Sequence, residues 1–229
     1  SLLACEYPDA DQWRQIVNTF APEAVAHKFL LAHTPYIFRD EPLKYALFRR
    51  TIADAFSVNP TDVFIVGSAM SGRSLKGRDI DKLYSTESDI DTLIISEHLF
   101  ASYIMKSFEW VRDETRSQCS HGPYKAPKLE DDTVGQIGRL SLNACNGIWR
   151  PDSLPHGASV REEFFEKFGA VSLKVLGLQL SEDTVSKVTG RVARSFNDAA
   201  TDLASSIRRL RKEFEDIDSS NQSSKPEKG

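Results

Sequence analysis

The spacing of apolar positions changes along the chain, and the change divides it. From Asp9 to about Phe56 hydrophobic residues recur at helical intervals, most clearly in EPLKYALFRRTIADAF, where Leu43, Leu47, Ile52 and Phe56 mark one face. Asn59-Pro60 ends the segment, because proline drives the residue before it out of the helical region. Val63-Phe64-Ile65-Val66 is short, continuous and rich in β-branched residues, so it reads as a buried strand that stops on Gly67. Residues 67 to 88 are dominated by serine, glycine and basic side chains and read as a long polar loop. A second strand is expected over Asp89 to Ile95, and Ser96-Glu97 opens a helix carrying Leu99, Phe100, Tyr103, Ile104, Phe108 and Val111.

Further on the pattern thins. Residues 117 to 158 hold His121-Gly122-Pro123, Ala126-Pro127 and Glu130-Asp131-Asp132, and read as a solvated connection. Ser159 and Glu162 have capping-box spacing ahead of Phe164, Phe165 and Phe168, which predicts a short amphipathic helix. Thr184 to Val192 reads as another strand. Ser195-Phe196-Asn197-Asp198 caps a last helix with Leu203, Ile207, Leu210 and Phe214 on one face, a face that covers the core or supports a partner helix. From Asp218 apolar anchors cease and a disordered tail is expected. The organisation anticipated is a helical segment over 1–58, a core over 59–194, a helix over 195–217 and a tail over 218–229, in the α+β class.

Composition narrows the function classes. At 229 residues, 40% hydrophobic and 27% charged, the chain belongs with ordinary globular proteins. The most apolar stretch near the start, AVAHKFLLAH, is too short for a bilayer and carries His27, Lys28 and His33, so no membrane partner is expected. Without a charged head, apolar stretch and cleavage site in order, the chain is expected to be cytoplasmic. Cys5, Cys119 and Cys145 are odd in number and lack CxxC pairing, against both a disulfide framework and structural zinc. The five histidines show no ligand spacing, and Trp13, Trp110 and Trp149 suit packing. A formal charge of -4 removes any global attraction for nucleic acid, while leaving local basic patches open.

The candidate chemistry lies in GRDIDKLYSTESDIDTLIIS, where Asp-Ile-Asp occurs at Asp79 to Asp81 and again at Asp89 to Asp91. In a strand, alternate side chains share a face, so Asp89 and Asp91 would project together with Cα atoms about 6 to 7 Å apart. Such a pair suits a hard divalent cation, which removes the repulsion between the two carboxylates. The first copy lies between Lys76-Gly77-Arg78 and Lys82, with no apolar run to hold it in a sheet. Upstream, Val66-Gly67-Ser68 offers close backbone approach, N–H donors and a hydroxyl to a phosphate.

Val66, Gly67 and Ser68, followed by a spacer and Asp89-Ile90-Asp91 after which a strand continues, resemble the signature of the nucleotidyltransferase superfamily typified by DNA polymerase β. Bacterial minimal nucleotidyltransferases of toxin-antitoxin or phage-defence contexts are the nearest likeness. The resemblance covers roughly residues 60 to 100. The spacer to Asp89 is longer than the family's usual one, and the spacing to Asp79 fits better, so the first copy stays a rival. The resemblance implies a small mixed-sheet nucleotidyltransferase core flanked by N- and C-terminal helices. It implies two Mg2+ ions on Asp89 and Asp91, NTP phosphates held by Gly67 and Ser68, and Arg73 and Lys76 as candidates to neutralise phosphate charge. The reaction implied is transfer of a nucleoside monophosphate to a hydroxyl of protein, RNA or a second nucleotide. The alternative is a degenerate module that binds nucleotide or regulates a protein partner. A third carboxylate is customary in the family, and Asp131, Asp132, Asp152 and Asp183 all fall in stretches that read as loops.

Overall fold

The computed structural model describes residues 5–85, 88–118, 131–176 and 187–223. They form α1 (Ala10–Thr19), α2 (Pro22–Ala26), α3 (Pro42–Phe56), β1 (Val63–Val66), α4 (Ser68–Ser71), β2 (Ile90–Ile95), α5 (Glu97–Gln118), α6 (Asp131–Cys145), β3 (Ile148–Trp149), α7 (Ser159–Leu176), β4 (Val188–Ala193) and α8 (Phe196–Ser223). The class is mixed α+β, with an open four-stranded sheet in the order β1-β2-β4-β3 and an antiparallel β3–β4 pair that sets Ile148 opposite Ala193. Two compact units interleave along the chain. One collects the described residues of 1–46, 65–91 and 200–229, the other 47–64 and 92–199.

The first unit is built on helices. Asp9 caps α1 by accepting from the Gln12 N–H while the Gln12 side chain accepts from the Asp9 N–H, so two otherwise orphaned donors are satisfied. Trp13, Ile16 and Val17 form the buried stripe of α1, and Trp13 meets Phe29 at 5.3 Å between ring centroids. At the other end of α1, Arg211 of α8 donates to the carbonyls of Val17 and Phe20, acceptors the helix leaves unpaired. Arg14 lies over the Phe214 ring and pairs with Asp218. The last helix therefore runs to Ser223, past the end expected at residue 217, and residues 218–223 are helical rather than tail. Neither glycine nor proline occurs between Phe196 and Ser223 to stop it.

The second unit holds an aromatic core. Trp149 of β3 stacks on Tyr103 of α5 at 4.4 Å, Phe164 of α7 packs edge-on to both, and Phe56 meets Phe164 and Phe168. The buried Trp149 Nε1–H donates to Ser107 Oγ, whose proton goes to the Tyr103 carbonyl, so the indole is satisfied as a packing group. Burial keeps the Tyr103 phenol un-ionised well above its ordinary range.

Several expectations change. Of the face expected on α3, Ile52 and Phe56 are buried and are joined by Phe48 and Ala53, whereas Leu43 and Leu47 are exposed. Within 117–158, read as a connection, stand α6 and β3. Gly135 and Gly138 hid α6 in the sequence, yet both sit on open surface where no backbone turn requires them. The helix after Ser159 is longer than expected, and Glu162 accepts from the Gly157 N–H rather than completing a box with Ser159. Ser195 caps α8 as the sequence indicated, accepting from the Asp198 N–H. Of the strand expected over Thr184 to Val192, residues 184–186 lie outside the described residues, as do Cys119, His121 and Asp183.

Candidate functional site

The first unit brings the Gly-Ser turn and the second Asp-Ile-Asp together. β1 ends on Gly67, whose φ of 70° and ψ of -150° lie in a region essentially reserved for glycine. A Cβ placed there would stand 3.1 Å from Asp91 Oδ2, so the Asp91 carboxylate rests directly over this glycine. Ile90 is buried at the start of β2 while Asp89 and Asp91 on either side of it are exposed, the alternation a strand imposes. Both acids face solvent, and the isoleucine anchors them.

Gly67 leads into the single turn of α4, whose opening N–H groups at Ser68 and Ala69 have no acceptor within the turn. Ser68 is half-buried, and its hydroxyl forms no hydrogen bond among the described residues. The turn is braced from beneath. Ser71 Oγ lies 3.0 Å from the Gly67 carbonyl and 2.7 Å from that of Arg73, within donating distance of either. Gly72 takes φ 80° at the end of the turn, and its missing Cβ leaves room for the Tyr36 ring, which would lie 2.7 Å from such an atom. Arg39 lies over this ring, its Cζ 4.0 Å from the centroid.

The segment after Gly72 is not the featureless loop expected from its composition. Arg73 and Leu83 form an antiparallel bridge, Ser74 N–H donates to the Lys82 carbonyl, and Tyr84 N–H donates to that of Gly72. The result is a small hairpin closed by a helical turn at Gly77–Asp79. Arg73 Nη1 donates to the Ile80 carbonyl at 2.9 Å, so part of this guanidinium braces the hairpin. Lys76 is exposed. Asp79 and Asp81, the rival pair, are exposed on the turn with Ile80 buried between them.

Sequence reasoning thus named Gly67 and Asp91, which meet, but not the residues that brace the turn and the hairpin: Ser71, Tyr36 and Glu213, the last accepting from the Gly77 N–H at 2.5 Å. Ser71, four residues beyond a strand-ending glycine, carried a local signal, since serine readily bonds the carbonyl four residues back. Tyr36 and Glu213 are distant in sequence and carried none.

Two exposed carboxylates on either side of a buried isoleucine, one of them over a glycine turn, are oxygen donors of the kind a hard divalent cation takes. No group of three metal-binding side chains occurs among the described residues. β4, next to β2 in the sheet, reads Val-Thr-Gly-Arg-Val-Ala and holds no carboxylate. Asp152 stands in the turn Pro151–Ser153. No family model matches the chain, and no curated protein or solved structure matches it either.

Proposed function

We propose that the chain binds a Mg2+–NTP complex at Gly67, Ser68, Asp89 and Asp91 and transfers the nucleoside monophosphate to an acceptor hydroxyl, as a nucleotidyltransferase-type core. The observation that carries the reading is the Asp91 carboxylate standing over the positive-φ Gly67, which sets an acidic pair beside a turn open to phosphate. Asp89 and Asp91 would hold the metal, which when bound neutralises phosphate charge and activates the acceptor oxygen. Gly67, by lacking a side chain, gives the Asp91 carboxylate and its metal room over the turn, and the Ser68 N–H and hydroxyl orient the phosphate. Lys76 and the free part of the Arg73 guanidinium lie on the same hairpin and add positive charge toward the polyphosphate.

A second reading is favoured by the absence of a carboxylate from β4: the core binds metal and nucleotide without turnover and acts as a sensing or regulatory module. Titration with Mg2+ and an α,β-methylene NTP, followed by incubation with labelled NTPs and RNA, nucleotide and protein acceptors, separates the two. Transfer or pyrophosphate release that disappears in Asp89→Asn and Asp91→Asn supports the enzyme. Metal-dependent binding without release supports the module, and absence of metal-dependent binding removes both.

A further inference from the structure

Fixed partners are the rule for cations in the described residues. Arg14, Lys106, Lys167 and Arg194 hold carboxylates, and Arg161 and Arg211 hold backbone carbonyls. Lys76, Arg78, Lys82, Arg209 and Lys212 are exposed and make no side-chain hydrogen bond or ion pair among the described residues. All five belong to the first compact unit.

One contact joins their two locations. The Gly77 N–H donates to Glu213 Oε2 at 2.5 Å, and a Cβ on Gly77 would stand 2.7 Å from Glu213 Cβ, so the hairpin backbone lies directly against α8. Lys76 and Arg78 flank that contact on the hairpin. Arg209, one helical turn before Glu213, and its neighbour Lys212 flank it on the helix. Glu213 keeps its charge while accepting from the Gly77 N–H, and with Asp79 and Asp81 it offsets three of the five positive charges. What remains is a local basic surface on a chain whose formal charge is -4, and it is contiguous with the hairpin that hangs from the Gly67–Gly72 turn.

We propose that this surface binds a single nucleic-acid strand through its phosphates. Unpaired cations held in one place repel one another, and a polyanion that bridges them releases condensed counterions. An anionic membrane fits less well: it would meet Asp79 and Asp81 together with the cations, and Leu83 supplies one exposed apolar side chain where an interfacial face needs several. With no tryptophan or phenylalanine among these residues, the contact is sequence-neutral and steeply salt-dependent. Strand binding stands by itself. The further role of the strand as hydroxyl acceptor rests on the function proposed above.

The test is anisotropy of a short fluorescent single-stranded RNA, and of the matching DNA, with the full chain. Five phosphate contacts predict a log–log salt slope of about -3.5, so affinity falls roughly a hundredfold between about 50 and 200 mM salt. Lys82→Glu with Lys212→Glu should weaken binding at least tenfold and flatten the slope, and Lys82→Gln with Lys212→Gln should do so to a smaller degree. Arg139→Glu, an exposed cation on α6, should leave it within twofold. Asp89→Asn with Asp91→Asn should retain strand binding while losing metal-dependent nucleotide binding, so each proposal fails separately. Absence of strand binding at low salt, indifference to the Lys82 and Lys212 variants, or equal lysine-dependent binding to phosphatidylserine vesicles overturns the assignment.

Discussion

The two Asp-Ile-Asp copies are one tripeptide in two environments. At Asp79 to Asp81 the chain turns: the Asp79 N–H donates to the Lys76 carbonyl, the Lys82 N–H donates to that of Asp79, and Arg73 secures Ile80. Its acids lie among unpaired cations, and none of the hairpin's hydrogen bonds brings them against the Gly67 turn. At Asp89 to Asp91 the same residues enter β2, where buried Ile90, Leu93 and Ile94 hold the strand in the sheet and Asp91 stands over Gly67. In both copies the isoleucine is buried and the acids are exposed. Alternation alone is therefore not the difference. Placement against Gly67 is, and it follows from the apolar run after the second copy, which the first lacks.

The largest expected effect tests that difference. Asp91→Asn should lower Mg2+-dependent NTP affinity by about a hundredfold or more, given that even outer-shell changes around metals cost about 10–100-fold, while Asp81→Asn should change it less than about twofold. Titration calorimetry of both variants decides it, and the opposite ranking would transfer the site to the first copy. Next, Gly67→Ala forces a side chain into a glycine-only conformation against the Asp91 carboxylate. A destabilisation of about 1–3 kcal/mol in urea unfolding is expected, together with lost nucleotide affinity.

Gly77→Ala has no positive φ to satisfy and meets only Glu213, at 2.7 Å from its Cβ. It should cost about 1–2 kcal/mol and loosen the hairpin, read as faster proteolysis between Arg73 and Lys82, with nucleotide affinity less affected than by Gly67→Ala. Ser71→Ala removes the brace beneath the turn and should cost about 1 kcal/mol. If nucleotide affinity falls with Gly77→Ala as far as with Gly67→Ala, the hairpin holds the nucleotide as directly as the Gly67 turn does and the separation of the two copies fails.

Both strands of the candidate site were legible because each is a run of β-branched residues bounded by polar ones, as in Val63–Val66 before Gly67. The α8 face was legible because Leu203, Ile207, Leu210 and Phe214 keep a helical period and are all buried. α6 was not, since two surface glycines mimic loop composition. The hairpin over 73–83 was missed because its order comes from main-chain bonds and from Glu213, far along the chain, rather than from its own apolar residues.

By itself the sequence determined the α+β class, the strand that carries Asp91 and the glycine before Ser68, because local periodicity and backbone freedom are properties of neighbouring residues. Only the tertiary structure decided that Asp91 rests over Gly67, that Tyr36 and Ser71 brace the turn and that the basic hairpin lies on α8. These are contacts across long sequence separations, which depend on how elements pack and leave little trace in any one stretch of chain.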